Sequence, residues 1–221
     1  MFEIKSLKLG RMDNFIYLIK DQATEQIAVV DPAWDVPEIF RAADEMEGEI
    51  TDIYLTHSHY DHVNGVDEVL HRTDAALHVN TIEDRFWGSA GRNAKLHRGG
   101  DRLQLGKTEI VVHHTPGHTP GSVCYQLGNK LLTGDTVFVY GCGRCNLRGG
   151  DPEAMYHTLS HMAREFDPST VILPGHDYAT CATSTLGQQL QGNPFFKMET
   201  LAKFVDYRMF KHNRAMPYGP V

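Results

Sequence analysis

Cysteine, long apolar runs and basic clusters are all scarce in this 221-residue sequence. Its four cysteines, at positions 124, 142, 145 and 181, are too few for the disulfide framework of a small secreted protein. No stretch of about 18 consecutive apolar residues is present, so we expect no transmembrane helix. The first ten residues include three charged side chains and lack the uncharged core of a signal peptide. These absences predict a reduced protein of the cytoplasm.

Positive charge is likewise too scattered to indicate a polyanionic partner. Lys and Arg number 21 against 28 Asp and Glu, which gives a formal net charge of -7. Because nucleic acids and anionic membrane surfaces are bound by clustered cations, we expect neither as a partner. Hydrophobic residues make up 41% of the chain, enough for the core of one large domain with at most a short appendage.

Hydrophobic spacing divides the chain into an alternation of strands and helices. Residues 88–100 are rich in Gly, Ser, Asn and charged side chains, and they are predicted to form a surface loop. The order of elements indicates two βαβ-containing halves packed as layers, an α/β fold. Strands are predicted at residues 2–9, 15–19, 26–30, 50–55, 75–79, 102–105, 109–113, 122–126, 130–133 and 170–173, and helices at 36–47, 63–70, 81–87, 151–166, 184–190 and 198–210.

The densest group of metal-binding residue types follows the predicted strand at 50–55. His57, His59, Asp61 and His62 lie within six residues, and imidazole and carboxylate are ligands that zinc and iron accept. In an extended chain the first three would share one face, and His62 would point to the other. A loop could arrange all four around two adjacent ions. A histidine-rich polar loop without a metal is the simpler alternative.

Three further loops place His or Asp at the end of a predicted strand. They contain His118 in the segment TPGHTPGS, Asp135 in TGDT and His176 in PGHDY. Each is a weak signal alone, because polar residues at strand ends usually cap turns. Ligands gather at strand ends in open α/β sheets, so four such loops together predict one shared site. Asp31, which follows the strand at 26–30, is expected to support the metal loop as a hydrogen-bond acceptor.

The segment THSHYDH at 56–62, together with His118, Asp135 and His176, resembles the metallo-β-lactamase fold superfamily. The segments TPGHTPGS, TGDT, GCGR and HDY resemble its glyoxalase II group, the hydroxyacylglutathione hydrolases, more narrowly. The resemblance covers residues 1–180 and implies an αββα four-layer sandwich with the metals at one edge. Residues 181–221 are then expected to form a C-terminal helical extension that packs on the same domain.

The resemblance also implies which residues hold each metal. His57, His59 and His118 would hold one ion, Asp61, His62 and His176 would hold a second, and Asp135 would bridge both. Two divalent ions are therefore expected; zinc is favoured, with iron or manganese as alternatives. A hydroxide shared by the two ions would attack the substrate carbonyl. Asp61 and Asp135 are accordingly also assigned as catalytic residues.

Thioester hydrolysis is the activity that the resemblance implies. The β-lactamases of the superfamily usually have Cys where this chain has Asp135, whereas the glyoxalase II group cleaves thioesters. The expected substrate is an acyl-glutathione, an acyl group on a carrier protein or a similar thioester. The carrier protein is included because the tail segments STLG, NPF and MPYGPV resemble small bacterial glyoxalase-II-like hydrolases, some of them associated with polyketide biosynthesis.

Arg144 matches a position that is basic in the glyoxalase II group, and Tyr178 matches a tyrosine that lies by the thiol arm there. Both are predicted to bind substrate. A surface ion pair for Arg144 and a packed core ring for Tyr178 are the alternatives. Asn146 replaces the aromatic residue common in that group, and the extension is shorter than the helical domain of glyoxalase II. Whether the thiol part of the substrate is glutathione therefore stays open.

A persulfide dioxygenase is the main alternative activity, because the same motifs also resemble those enzymes. One iron would then be held by His57, His118 and Asp135, and the substrate would be glutathione persulfide. Cys142 and Cys145 have C-x-x-C spacing, which leaves a redox role open.

Two aromatic segments of the tail, at 195–196 and 204–210, are candidates for a homodimer contact.

Overall fold

The second strand shows how the layers of the molecule arise. In this computed structural model, which describes residues 1–88, 93–212 and 218–220, Ile16 and Leu18 pack into one core cluster. Phe15, Tyr17 and Ile19 pack into another. Successive side chains of a strand point to opposite faces of its sheet, and both faces of this strand are apolar. The sheet that contains it is therefore covered on both sides.

The first sheet holds six strands in sequential order, β1 to β6. The first three pair antiparallel, and β3 to β6 run parallel. Helical crossovers are what parallel neighbours require, and helices connect β3, β4 and β5. The strands are β1 (Phe2–Leu9), β2 (Asn14–Asp21), β3 (Gln26–Val30), β4 (Glu49–Tyr54), β5 (Ala76–Asn80) and β6 (Lys95–His97), and the helices are α1 (Val36–Glu45), α2 (Tyr60–Val63), α3 (Val66–Arg72) and α4 (Thr81–Trp87).

The second sheet has the order β14-β13-β10-β9-β8-β7. Its strands are antiparallel except β10 and β13, which run parallel and are joined through helix α5. A short hairpin, β11 with β12, lies outside both sheets. The elements are β7 (Arg102–Leu105), β8 (Thr108–His114), β9 (Val123–Leu127), β10 (Lys130–Gly134), β11 (Val137–Phe138), β12 (Gly141–Cys142), α5 (Pro152–Glu165), β13 (Val171–Pro174) and β14 (Ser184–Thr185).

Three apolar clusters separate four layers. The first lies between α1, α3 and the first sheet, and it includes Ile39 and Val69. The second fills the space between the sheets, where Tyr54 of one sheet meets Tyr125 of the other. The third lies between the second sheet and α5. The predicted αββα four-layer sandwich is therefore confirmed.

The tail after β14 contributes to the third cluster. It forms α6 (Leu186–Gly192), a 3-10 turn (Pro194–Lys197), α7 (Leu201–Asp206) and a π-helical turn (Tyr207–Lys211). Phe195 and Phe204 are buried against α5 within the same chain, so the homodimer contact predicted for them is wrong at these two residues. Phe210 is exposed.

Two predicted elements differ from those observed. The helix predicted at 63–70 begins instead at Val66, after the separate turn α2. Between the two, Gly65 N donates to the carbonyl of Pro32 at 3.1 Å and not to a carbonyl of the preceding turn. The loop predicted at 88–100 contains strand β6, although residues 89–92 lie outside the described residues. No helix in the described ranges has the length and apolar character needed to cross a membrane.

Candidate metal centre

Loops at one edge of the two sheets bring all seven predicted ligands together. Strands β4, β10 and β13 end at this edge, and the loop between β8 and β9 lies beside them. The chain turns into α2 at Tyr60, so Asp61 and His62 lie on a helical turn and not in the loop that was predicted. The seven side chains are His57, His59, Asp61, His62, His118, Asp135 and His176.

His57, His59 and His118 form the first group. One ring nitrogen of each lies within 4.8 Å of those of the other two, and His59 Nδ1 is 2.8 Å from His118 Nε2. His57 is buried, and its Nε2 has no hydrogen-bond partner among the described residues. A polar atom buried without a partner is costly, and a cation between the rings would remove that cost.

Asp61, His62 and His176 form the second group. The Nε2 atoms of His62 and His176 are 3.2 Å apart. Asp61 Oδ2 lies 3.4 Å from His176 Nε2 and 3.5 Å from His62 Nε2. These three atoms face one small volume.

Asp135 lies between the two groups. Its Oδ2 is 3.3 Å from His118 Nε2 in the first group. Its Oδ1 is 3.3 Å from the Nε2 atoms of both His62 and His176 in the second. Each oxygen faces a different group, which is the arrangement that a bridging carboxylate requires.

Backbone carbonyls orient the histidines from outside the centre. His176 Nδ1 donates to the carbonyl of Met12 at 2.8 Å, and His118 Nδ1 donates to the carbonyl of Arg144 at 2.7 Å. A carbonyl oxygen can only accept, so the proton of each neutral ring is on Nδ1 and Nε2 presents a lone pair inward. This is the ring orientation that metal ligation needs.

Asp31 orients two more of the rings, as predicted. Its Oδ2 lies 2.9 Å from His62 Nδ1 and accepts from Thr56 Oγ1 at 2.5 Å, while its Oδ1 accepts from Thr56 N at 2.7 Å. Thr56 Oγ1 is in turn 3.1 Å from His57 Nδ1. Because the hydroxyl proton is donated to Asp31, the hydroxyl oxygen can accept from His57, which leaves the His57 Nε2 lone pair facing the centre.

These orientations crowd lone pairs into a small space. The Nε2 lone pairs of His62 and His176 face each other at 3.2 Å, with carboxylate oxygens of Asp61 and Asp135 within 3.5 Å. Such a group is repulsive unless positive charge lies among the atoms. The donor set of imidazole and carboxylate fits zinc, iron and manganese.

The pKa shifts of these side chains also indicate that the centre favours positive charge. Burial lowers the pKa of His62, but the carboxylates of Asp135 and Asp31 outweigh burial and hold the pKa well above its usual range. Burial raises the pKa of Asp135, but His176 and His62 outweigh burial and hold it well below. At His118 burial prevails and lowers the pKa to about 4. The second group is therefore the part of the site that attracts positive charge most strongly.

Glu83 joins the two loops that supply the first group. It is buried, and its Oε1 accepts from Ser58 N at 2.8 Å and Ser58 Oγ at 2.6 Å. Its Oε2 accepts from Thr119 Oγ1 at 2.7 Å and Gly121 N at 3.0 Å. Sequence reasoning missed this role, because an acidic residue in the first turn of a helix is ordinary.

Asn14 is a second residue that sequence reasoning missed. Its Nδ2 donates to Asp61 Oδ2 at 3.0 Å and to the Asp61 carbonyl at 3.0 Å. Its Oδ1 accepts from Trp34 Nε1 at 2.8 Å, so the amide orientation is determined by its neighbours. No local pattern indicates such a contact, because Asn14 and Asp61 are far apart in the chain.

A cleft of about 380 Å³ opens onto the centre. Both predicted substrate residues line it: Tyr178 stacks on His176 with ring centroids 4.5 Å apart, and the exposed Arg144 donates from Nε to Asn146 Oδ1 at 3.2 Å. The half-buried Tyr178 ring is thus part of a cleft wall and not of the closed core. Other wall residues are Met12, Tyr60, Phe138, Leu147, Arg208 and Tyr218.

Cys142 and Cys145 are buried free thiols, and Cys142 lines the cleft. Burial raises the pKa of Cys145 to about 11 and that of Cys142 well above its usual range. Redox and nucleophilic reactions of cysteine need the thiolate, so this pair lacks the state that a redox role would use.

The αββα sandwich and its paired His and Asp groups define a class of α/β proteins with a metal-binding edge. Residues 9–176 match the family model described as the metallo-beta-lactamase superfamily. The chain belongs to this superfamily, as the sequence motifs implied.

Two relatives and one solved structure show which members of the superfamily this chain resembles. The chain is 32% identical to the probable polyketide biosynthesis zinc-dependent hydrolase BaeB of Bacillus velezensis, covering 97% of this chain and 96% of the relative. It is 34% identical to a hydroxyacylglutathione hydrolase of Pseudomonas savastanoi, covering 89% and 74%. The crystal structure of ETHE1 from Myxococcus xanthus is similar at a TM-score of 0.87 and 26% identity, covering 96% and 92%. The match to one named hydrolase over nearly the whole of both chains, together with the partial match to a second, identifies the chain as a hydrolase of the superfamily.

Proposed function

We propose that this protein is a binuclear zinc hydrolase that cleaves thioesters. The observation that carries the proposal is Asp135, whose two oxygens each face a different group of imidazole lone pairs. The Bacillus velezensis relative is named a zinc-dependent hydrolase, which supports zinc over iron or manganese.

The residues present fit two divalent ions. His57, His59 and His118 would hold one, Asp61, His62 and His176 the other, and Asp135 both. When bound, the ions would polarise the substrate carbonyl and lower the pKa of water toward neutrality.

The chain itself supplies a surface for the substrate. Phe138 and Tyr178 form an apolar wall next to His176, against which the thioester would lie. Asn14 holds Asp61 in place from behind. A thiolate leaves without a proton donor, which suits a cleft whose carboxylates are all committed to the metal groups.

Two kinds of relative point to two thiol carriers. One is named a polyketide biosynthesis hydrolase and the other a hydroxyacylglutathione hydrolase. The first is matched over nearly its whole length, whereas the second extends beyond this chain. We therefore favour an acyl group on a carrier protein, with acyl-glutathione as the second substrate to test.

The decisive experiment combines metal analysis with two assays. Protein purified without added metal should contain about two zinc ions per chain and should release free thiol from an acyl thioester. One iron per chain, with O₂ uptake on glutathione persulfide and no thiol release, would overturn the proposal.

Substitution of Asp135 tests the bridge directly. Asp135→Ala should reduce the metal content from about two ions to one or fewer and abolish thiol release, because both groups lose a shared ligand. Asp44→Ala, at an exposed position of α1, serves as the matched control. Retained activity in Asp135→Ala would show that the bridge is misassigned.

A mononuclear iron dioxygenase is the second candidate. His57, His118 and Asp135 include the two imidazoles and one carboxylate of a facial iron site, and the fold is similar to that of ETHE1. Asp61→Ala separates the two functions. It should abolish a binuclear hydrolase but leave a dioxygenase centred on the other three residues with its iron.

A further inference from the structure

Arg208 is a buried cation in the wall of the cleft. Only 4% of its surface is exposed, and it lies in the π-helical turn of the tail. Its Nε donates to the carbonyl of Gly143 at 3.0 Å, and its guanidinium lies 5.6 Å from the ring of Phe195. The tail thus places a positive charge beside the loop that carries Arg144.

This charge has no acidic partner in the described part of the chain. No carboxylate forms an ion pair with Arg208 there, and its Nη1 has no hydrogen-bond partner. Segments 89–92 and 213–217 and residue Val221, which lie outside that part, contain no acidic side chain. A guanidinium buried without a counter-charge is strongly unfavourable.

The neighbouring thiols do not supply the missing negative charge. Burial raises the pKa of Cys145 to about 11 and that of Cys142 well above its usual range, although Arg208 itself lowers both. Both thiols are neutral at physiological pH. No acidic side chain therefore pairs with Arg208 in the described part of the chain, and Arg208 lines the cleft, from which an anionic ligand could approach.

Gly143 shows how near this charge is to the metal centre. A Cβ atom at this position would lie 1.9 Å from the carbonyl oxygen of Asp135 and 2.9 Å from the ring of His118. The residue that Arg208 binds is therefore packed directly on two proposed ligands. An anion held by Arg208 would lie along the same wall as the reacting group.

We propose that Arg208 is an anion-recognition residue, which binds a carboxylate or phosphate on the thiol arm of the substrate. The inference rests on the proposed thioesterase function and adds the class of thiol. Arg suits this task because its planar fork of donors matches both oxyanions. A neutral thiol arm would leave the charge of the Arg208 guanidinium uncompensated.

Binding of uncleavable analogues tests the site without turnover. S-methylglutathione, which carries carboxylates, S-methyl coenzyme A, which carries phosphates, and neutral S-methylpantetheine would be titrated calorimetrically into the metal-loaded protein. At least one anionic analogue should bind about 10-fold or more tightly than the neutral one, and Arg208→Gln should remove that preference. The anionic analogue that loses affinity in Arg208→Gln shows whether Arg208 binds a carboxylate or a phosphate.

Two further variants keep the test conclusive. Arg148→Gln removes the same charge from an exposed side chain over Phe86 and should leave all three affinities unchanged. Arg208→Lys keeps the charge and should retain part of the preference, even if Arg208→Gln folds poorly. Equal weakening of neutral and anionic analogues, or no preference in the unsubstituted protein, would overturn the proposal.

Kinetic measurements then distinguish substrate binding by Arg208 from an effect on the chemical step. Arg208→Gln should raise KM for the anionic thioester about 10-fold, with kcat nearly unchanged and no effect on acetyl-N-acetylcysteamine, a neutral thioester. Absence of all thiol release by the unsubstituted protein would reject the thioesterase, whereas selective binding of the analogues would still establish the anion site.

Discussion

Single hydrogen bonds behind the imidazoles decide what the centre can bind. The carbonyls of Met12 and Arg144 accept from His176 and His118, so both rings turn their Nε2 lone pairs inward. Neither carbonyl belongs to a metal-binding residue type. The orientation of these two rings therefore depends on backbone carbonyls, which the types of the ligand side chains do not indicate.

Asn14 provides the test at this scale. Asn14→Ala removes the donor to Asp61 and leaves Trp34 Nε1 without its acceptor. We expect affinity for the second metal ion to fall about 10–100-fold, because groups that orient a ligand usually have effects of this size. The first ion should be retained.

Stepwise metal titration of Asn14→Ala would measure this difference. Asn129→Ala, in the exposed turn between β9 and β10, is the control. Equal loss of both ions would indicate general damage to the site and contradict the assigned contact.

At the scale of elements, helix α4 acts as a support for two loops. Among the described hydrogen bonds, those of Glu83 are the only ones that connect α4 to the site. Glu83 accepts from both the β4–α2 loop and the β8–β9 loop. The positions of His57, His59 and His118 therefore depend on an element that supplies no ligand.

Glu83→Gln should destabilise the protein by about 2–4 kcal/mol, because an amide NH₂ would face two donors that now bind a carboxylate oxygen. The free energy of unfolding would be measured by urea denaturation of metal-free protein. Glu49→Gln, at an exposed position of β4, should change it little. A similar small change in Glu83→Gln would show that the loops are held by other contacts.

At the scale of the whole molecule, Asp21 links the first sheet to the second. It is buried at the end of β2 and accepts from Thr108 Oγ1 of β8 at 2.7 Å and from Thr24 N at 2.9 Å. The hydrogen bond from Thr108, followed by those from Thr24 and the backbone of Lys107, lowers the pKa of Asp21 to about 2 although burial opposes the shift.

A lowered pKa gives Asp21 a defined effect on acid stability. Its contribution is complete above the ordinary value of 3.8 and is lost as pH falls through about 2. Urea midpoints of metal-free protein should therefore fall more steeply between these pH values than those of Asp21→Asn. Parallel curves would show that Asp21 does not titrate with this shift.

Metal removal should act on the molecule as a whole as well. Saturation to about 100 times Kd stabilises a folded state by about 2.7 kcal/mol, which for a chain of this size is about 5–10 °C in Tm. Chelation should lower Tm by that amount without loss of the far-UV circular dichroism, because three apolar clusters hold the layers together. An unchanged Tm after verified metal removal would argue against a site coupled to folding.

Local pattern in the sequence was enough to predict the layers and the ligand types. The continuous apolar run of β2 and the helical spacing of apolar residues in α1 and α5 are properties of neighbouring residues, so they can be read without the fold. The motif that contains His57 to His62 is equally local, and with His118, Asp135 and His176 it implied the superfamily that the comparison confirmed. Their roles as metal ligands stay a prediction.

Only the tertiary structure decided which groups orient the ligands, which support their loops and which place a positive charge beside the site. Asn14 meets Asp61, Glu83 meets Thr119 and Arg208 meets Gly143 across long stretches of sequence, and such contacts leave no periodic signal. The Gly65 break between α2 and α3 likewise depends on Pro32, which is distant in the chain. Burial is also a tertiary property. It leaves Cys142 a neutral thiol and Arg208 a cation without an acidic partner in the described part of the chain.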